Sequence, residues 1–272
     1  MQIKSHRNVL WIAVLATVIG MSMGVANANH SWGGYHWART VNPFVLKLGN
    51  NLSATWSTYL GVTSSNWSTS AVLDTNIVAG GTNSKNCRAT LGRVEVCNAT
   101  YGNNGWLGIA SVWATGTHIT QGTVKMNDSY FKTAAYNTPA WKKFVMCQEV
   151  GHTLGLDHQD EVFSNTNLGT CMDYTNDPDG TLLNQLGNLQ PNQHDYDMLE
   201  GVYAHLDQTT TVRQAAASTK NGEIDHNNKQ TWGHEIRRSV NRRTSVYERE
   251  DGNDHKVFTF VTWAEPQENH QD

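Results

Sequence analysis

Charge is scarce in this chain of 272 residues: Asp, Glu, Lys and Arg together make up 16% of it, and the formal net charge is only -4. That balance supplies no attraction for nucleic acid or for an anionic membrane, so neither is expected as a partner. Long apolar runs are lacking too, apart from one between Val9 and Ala26, so no second segment reaches the length needed to span a bilayer. No repeat of fixed period is visible. Cysteine is absent around Ala26-Asn27-Ala28, which argues against a lipid-anchored start.

What precedes and follows that apolar run reads as an address. Lys4, His6 and Arg7 lie ahead of it, and Ala26-Asn27-Ala28 has the small-x-small form of a signal peptidase site. A cleaved export signal over residues 1–28 is expected, with a mature start near Asn29 and a secreted, extracellular location; a retained anchor is the competing reading. The four cysteines all fall in the exported part, and their even number suits two disulfides in an oxidising space. Abundant Gly, Asn, Ser and Thr fit the same surroundings.

The chemistry concentrates in Gln148-Glu149-Val150-Gly151-His152-Thr153-Leu154-Gly155-Leu156-Asp157-His158. A His-Glu-x-x-His helix puts two ligands on one face, with a Glu beside them to act on water. Here Glu149, His152, Gly155 and His158 match the extended form of that pattern, and Gln148 stands where the first histidine belongs. The helix itself is legible. Thr138 is an N-cap, Pro139 sits at the first helical position, and Trp141, Phe144, Val145, Gln148 and His152 recur at three- and four-residue steps. Gln148 and His152 therefore share a face, and Glu149 lies about a hundred degrees round from Gln148. Gly155 is a suitable helix stop. An amphipathic helix with a merely solvated polar face is the plainer reading, but its polar residues are mixed among apolar ones.

This motif resembles the metzincin clan of zinc endopeptidases, more closely its small secreted bacterial matrixin-like or snapalysin-like members. Two further stretches carry the resemblance. Thr170-Cys171-Met172-Asp173-Tyr174 is similar to the clan's methionine turn, with Tyr174 two residues after the Met as in astacin-like and serralysin-like branches. The run from Gln193 to Tyr203 is similar to the helix that closes matrixin catalytic domains. Together they span roughly residues 40–207. The resemblance implies an α+β fold, a twisted mixed sheet with an active-site helix and a C-terminal helix. It implies one catalytic zinc, with calcium as a further candidate at Asp173, Asp177 and Asp179. It also implies a protein or peptide substrate and a monomer. The segment between the signal and Phe44 has no cysteine, so a cysteine-switch propeptide is not expected.

The implied metal set is Gln148, His152 and His158, with Glu149 as general acid-base and Tyr174 as hydrogen-bond donor to an oxyanion. Met172 would pack beneath the metal. A glutamine is a neutral and weaker donor than imidazole, and three readings of it compete. Gln148 Oε1 ligates zinc in an active enzyme; or Asp157, His194 or Asp195 completes the site; or the fold is kept and the chemistry lost, leaving a catalytically inactive binding module. Tyr174 as an ordinary buried tyrosine is the plainer reading of that residue. Three cysteine pairings exist, and sequence does not choose among them. Cys87 with Cys97 and Cys147 with Cys171 is favoured, because the second pair would tie the active-site helix to the methionine turn. A Cys147 thiolate as ligand is the alternative, but it points off the ligand face.

Strands are expected at Phe44–Leu48, Leu73–Val78, Val94–Val96, Trp106–Trp113 and Thr123–Met126, and a helix at Leu52–Leu60. By resemblance, Trp106–Trp113 would be the open edge that pairs with substrate backbone; Trp106 and Trp113 as ordinary core aromatics is the alternative. The expected division is a catalytic domain at 29–207, a linker at 208–230 and an extension at 231–272. That extension carries a β-hairpin, 244–249 with 256–263, turning at Asp251-Gly252-Asn253. A lone hairpin is marginal, so it must dock on the catalytic part or on a partner. Arg237, Arg238, Arg242 and Arg243 form a basic cluster, expected to be a solvated charged face, with contact to a cell-wall polymer or an acidic protein as the alternative.

Overall fold

The structure, a computed structural model, describes residues 30–213 and 224–265. The expected export signal and residues 214–223 of the expected linker lie outside them. The elements run β1 (His36–Trp37), β2 (Phe44–Asn51), α1 (Ala54–Trp67), β3 (Leu73–Ala79), β4 (Arg93–Ala99), β5 (Trp106–Thr115) and β6 (His118–Asn127). After these come α2 (Asp128–Phe131), α3 (Pro139–Thr153), α4 (Gln193–Val202), β7 (His234–Arg238), β8 (Thr244–Glu250) and β9 (His255–Trp263). No helix among the described residues is long and apolar enough to cross a membrane.

The strands make one twisted mixed sheet in the order β3-β2-β4-β6-β5-β9-β8-β7, with β1 pairing the start of β6. Pairs among β1, β2, β3, β4 and β6 are parallel, and every pair from β6 outward through β5, β9, β8 and β7 is antiparallel. The helices α1 and α3 cover one face, where Leu46, Leu48, Val94, Val96, Ala110, Val112 and Val124 pack against Leu60, Trp67, Val145 and Val150. The other face of β5 and β9 buries Ile109, Trp113, Val257, Val261 and Trp263 under Trp232. This alternation follows from the two-residue period of a strand. Trp106 and Trp113 thus belong to this second core.

Several elements outrun their sequence signals. Helix α1 was expected to end near Leu60 but continues to Trp67, because Thr63, Ser64 and Trp67 are buried too. Trp67 donates its indole N–H to the Cys147 carbonyl, and the Ser64 hydroxyl sits 2.6 Å from that of Thr75. Tertiary contacts decide such a boundary, and apolar periodicity does not record them. Both disulfides have the favoured pairing, Cys87–Cys97 and Cys147–Cys171, so Cys147 has no thiolate to offer a metal.

The tail forms the expected hairpin, β8 with β9, and docks on the sheet, but at the strand edge that was expected to be open. The edge of β5 is not open: β9 lies antiparallel along it, pairing Ile109 with Val261 and Ala110 with Phe260. An unpaired edge with alternating apolar residues is a template for another strand, and this chain supplies its own. The arginines are likewise not a uniformly solvated face. Arg237 pairs with Asp157 and Glu161, Arg238 with Glu235, and the largely buried Arg243 with Glu265.

Candidate functional site

Helix α3 delivers the site, and both its ends are fixed. The Thr138 side chain accepts the Trp141 N–H at 3.1 Å, as an N-cap should. At the other end, where helix carbonyls lack intrahelical donors, indole N–H groups of Trp32 and Trp37 reach His152 O at 3.1 Å and Thr153 O at 2.8 Å. The Tyr203 hydroxyl donates to Leu154 O at 2.9 Å. The chain then turns through Gly155 at φ +98, where a Cβ would lie 2.4 Å from the Tyr35 carbonyl oxygen. No other residue satisfies both the backbone angle and the close approach. His158 is thereby returned toward the helix.

The sequence-predicted residues Gln148, Glu149, His152, His158 and Tyr174 are all buried. The His152 and His158 rings meet edge to face with centroids 4.6 Å apart, and His158 stacks on Tyr174 at 4.4 Å. Met172 lies against the helix below them, so near that a Cβ on Gly151 would meet its Sδ at 2.5 Å. Helix and turn are also joined by the Cys147–Cys171 disulfide and by the Gln148 amide, which donates to Cys171 O at 3.1 Å and Asp173 O at 3.3 Å. Those two carbonyls fix which end of the amide is nitrogen, and Oε1 is left as the acceptor.

Proton placement follows from the partners. His152 Nδ1 lies 2.9 Å from Leu156 O; a carbonyl accepts only, so Nδ1 carries the proton and Nε2 carries the lone pair. Burial lowers the His152 pKa to about 4 and holds that of His158 well below the ordinary range. Both imidazoles are therefore neutral at neutral pH, the form that ligates metals. Neither nitrogen of His158 has a hydrogen-bond partner, nor has Glu149 Oε2, although buried polar atoms are nearly always satisfied. A cation among His152, His158 and Gln148 Oε1 would satisfy the orphaned imidazole, so this donor set fits a zinc ion.

The hydroxyl of Thr262 on β9 sits 2.9 Å from Gln148 Oε1 and 2.7 Å from Glu149 Oε1. A hydroxyl has one proton and Gln148 Oε1 can only accept. Both bonds form when Glu149 is protonated and donates to Thr262, which donates to Gln148. Burial, which raises the Glu149 pKa to about 8 against the Thr262 hydrogen bond, favours that state. Phe260, two residues away on the same face of β9, stacks on His152 at 4.4 Å with planes 10° apart. A residual cavity of about 10 Å³ remains beside Gln148, Tyr174 and Thr262, room for about one water.

The other candidate ligands go elsewhere. Asp157 is held at both oxygens by the Arg237 guanidinium, and its Oδ1 lies 3.6 Å from His158 Nδ1. His194 and Asp195 gather instead with His30, the ligand atoms all within 4.8 Å of one another. Asp173, Asp177 and Asp179 accept from loop partners, Leu168 N and Asn188 Nδ2, Leu183 N, and Thr181 respectively. Sequence reasoning missed Phe260, Thr262 and His30. The β9 alternation marked Phe260 and Thr262 as strand residues, but nothing in it named the face they would meet.

No family model matches the chain, and no curated protein matches it. Among solved structures it is similar to one described as "Structure of myroilysin", at 14% identity and a TM-score of 0.34, over 62% of this chain and 96% of that one.

Proposed function

We propose that the chain is an exported, zinc-dependent endopeptidase of metzincin-like design, held closed by its own C-terminal strand. The observation that carries this reading is the burial of two neutral imidazoles beside Glu149 and Gln148, with neither nitrogen of His158 in a hydrogen bond. In a dry pocket such groups are costly unless something binds them. The methionine-bearing turn under Gly151 and the antiparallel β5 beside the helix support the same reading.

A bound zinc ion supplies Lewis acidity toward a peptide carbonyl. His152 and His158 would hold it through nitrogen, and Gln148 through Oε1 once Thr262 withdraws. Glu149, protonated while β9 is in place, would lose that proton to water once Thr262 withdraws and the pocket is hydrated, and as a carboxylate would take the proton of the attacking water and return it to the leaving amine. Tyr174, stacked on His158, would donate to the oxyanion. Withdrawal of β9 would uncover the β5 edge, which then pairs with an extended substrate as it now pairs with β9.

One observation favours a second reading, a catalytically silent binding module. Both ends of Gln148 are satisfied within the protein, so the glutamine serves as a cross-link without any metal. Zinc content by elemental analysis, compared between the full chain and His152→Ala, separates the two when combined with hydrolysis of a denatured protein by Phe260→Ala. The peptidase reading expects zinc that is lost in His152→Ala, and hydrolysis that disappears when Glu149→Gln is added. Equal zinc in both chains with no hydrolysis would give the site to the binding module.

A further inference from the structure

Three side chains converge beside the start of α4. His30 lies ahead of β1, and His194 and Asp195 are in the first turn of the helix. One ligand atom from each lies within 4.8 Å of the other two. His30 Nε2, His194 Nδ1 and Asp195 Oδ1 are all buried, and none of them is in a hydrogen bond. The His30 and Asp195 side chains are 2% and 0% exposed, so bulk water does not reach them, and buried polar atoms are nearly always satisfied.

The remaining partners show what these atoms offer. His30 Nδ1 lies 2.8 Å from Asp157 O, and a carbonyl only accepts, so Nδ1 carries a proton. Burial lowers the pKa of His30, which keeps the ring neutral and leaves Nε2 as a lone pair. Asp195 Oδ2 accepts from the Thr170 hydroxyl and from the Asn192 N–H, closing the capping box of α4, so Oδ1 is the free oxygen. Burial raises the Asp195 pKa to about 6, and the carboxyl is still ionised at neutral pH. Two electron-pair donors therefore meet, His30 Nε2 and Asp195 Oδ1, at 3.5 Å. A proton on His30 does not resolve this, because that separation is beyond an N–H···O bond and His194 Nδ1 would still lack a partner.

A shared cation does resolve it. Metal–ligand bonds of about 2.0–2.2 Å put neighbouring ligand atoms roughly 3.3–3.6 Å apart in a tetrahedron, and two imidazoles on one ion have centroids roughly 4.5–5.2 Å apart. The His30 and His194 centroids are 4.9 Å apart. The outer contacts are those that orient ligands: Asp157 O fixes the tautomer of His30, and Thr170 with Asn192 fixes Asp195.

We propose that His30, His194 and Asp195 form a second divalent-metal site, of the zinc class, apart from the α3 site. Two imidazoles and a carboxylate are a zinc donor set, and three protein ligands leave the fourth position to water. The ion ties the segment ahead of β1 to α4. Through the bonds of His30 to Asp157 and of Asp195 to Thr170, it also braces the turn before His158 and the turn that carries Met172. None of its ligands is one that the peptidase reading assigns to zinc or to catalysis.

The test uses the full chain carrying His158→Ala, so that the α3 site does not contribute. The protein is stripped with a chelator and titrated with Zn2+. The expected result is about one equivalent of zinc per chain and a Zn2+-dependent rise in Tm. Adding His194→Ala should weaken the metal by about 100-fold or more and abolish the Tm response, since loss of an outer partner alone costs about 10–100-fold. His194 is only half-buried, so this variant keeps its core, and far-ultraviolet circular dichroism checks that it folds. His30→Phe, which keeps a ring in the buried position, is the second variant and should lose the metal alike. No zinc taken up by the His158→Ala chain would mean that water or a proton joins the three groups. Uptake unchanged in both further variants, or a loss that follows His205→Ala instead, would place the ion elsewhere, and each of these results would overturn the site.

Discussion

A single hydroxyl decides the state of the α3 site. Thr262 accepts from the protonated Glu149 and donates to Gln148 Oε1, so removing its hydroxyl takes the donor from Gln148 Oε1 and that acceptor from Glu149 in a pocket that admits about one water. Thr262→Val, nearly the same shape, should therefore lower stability by about 1–3 kcal/mol, the cost of an unsatisfied buried polar group. Urea denaturation checks this, and a midpoint equal to that of the unaltered chain would mean the hydroxyl is not shared as described. At this scale much of the α3 site was legible. Glu149, His152 and His158 stand out by motif spacing: helix α3 carries the first two, and the turn at Gly155 brings the third beside them. Thr262 does not, because a threonine in a strand pattern has the same local signature whether it faces solvent, core or a carboxyl group. His30 was missed for a related reason: its meeting with His194 and Asp195 depends on how distant parts of the chain pack and not on spacing.

At the scale of elements, strand β9 and the methionine-bearing turn form two walls of the site. Phe260 is 1% exposed and stacks on His152. Phe260→Ala should cost about 3–5 kcal/mol, as large-to-small core changes do, and should speed modification of His152 by diethyl pyrocarbonate in the native state. An unchanged His152 reaction rate would show that some other element covers the ring. On the opposite wall, Cys147 and Cys171 are 24 residues apart. Replacing both by alanine should lower stability by about 2–4 kcal/mol through the freed unfolded chain, read from the shift of the urea midpoint. The elements themselves were legible where local chemistry marks them: the Thr138-Pro139 start of α3, the strand cores, the Asp251-Gly252-Asn253 turn. The pairing of β9 with β5 was not, since an alternating strand announces that it needs a neighbour and not which one.

On the scale of the whole molecule, the tail is continuous with the sheet that carries the site. β9 pairs with β5 along nearly its full length, and Trp232 and Trp263 of the tail share a core with Ile109 and Trp113 of β5. Strands that share a ladder and a core lose both together, so the part bearing α3 and the part bearing β9 should unfold as one cooperative unit. The prediction is a single denaturant transition in which tryptophan fluorescence and far-ultraviolet circular dichroism coincide. The ten tryptophans make the fluorescence a fair sample of both parts, since Trp37 and Trp67 lie in the helix-side core and Trp232 and Trp263 in the tail. Two separated transitions would mean that β7 to β9 detach before the rest. In that case the closed state is a weak latch, opening at a free energy well below that of global unfolding, and hydrolysis by the unaltered chain should rise in the interval between the two.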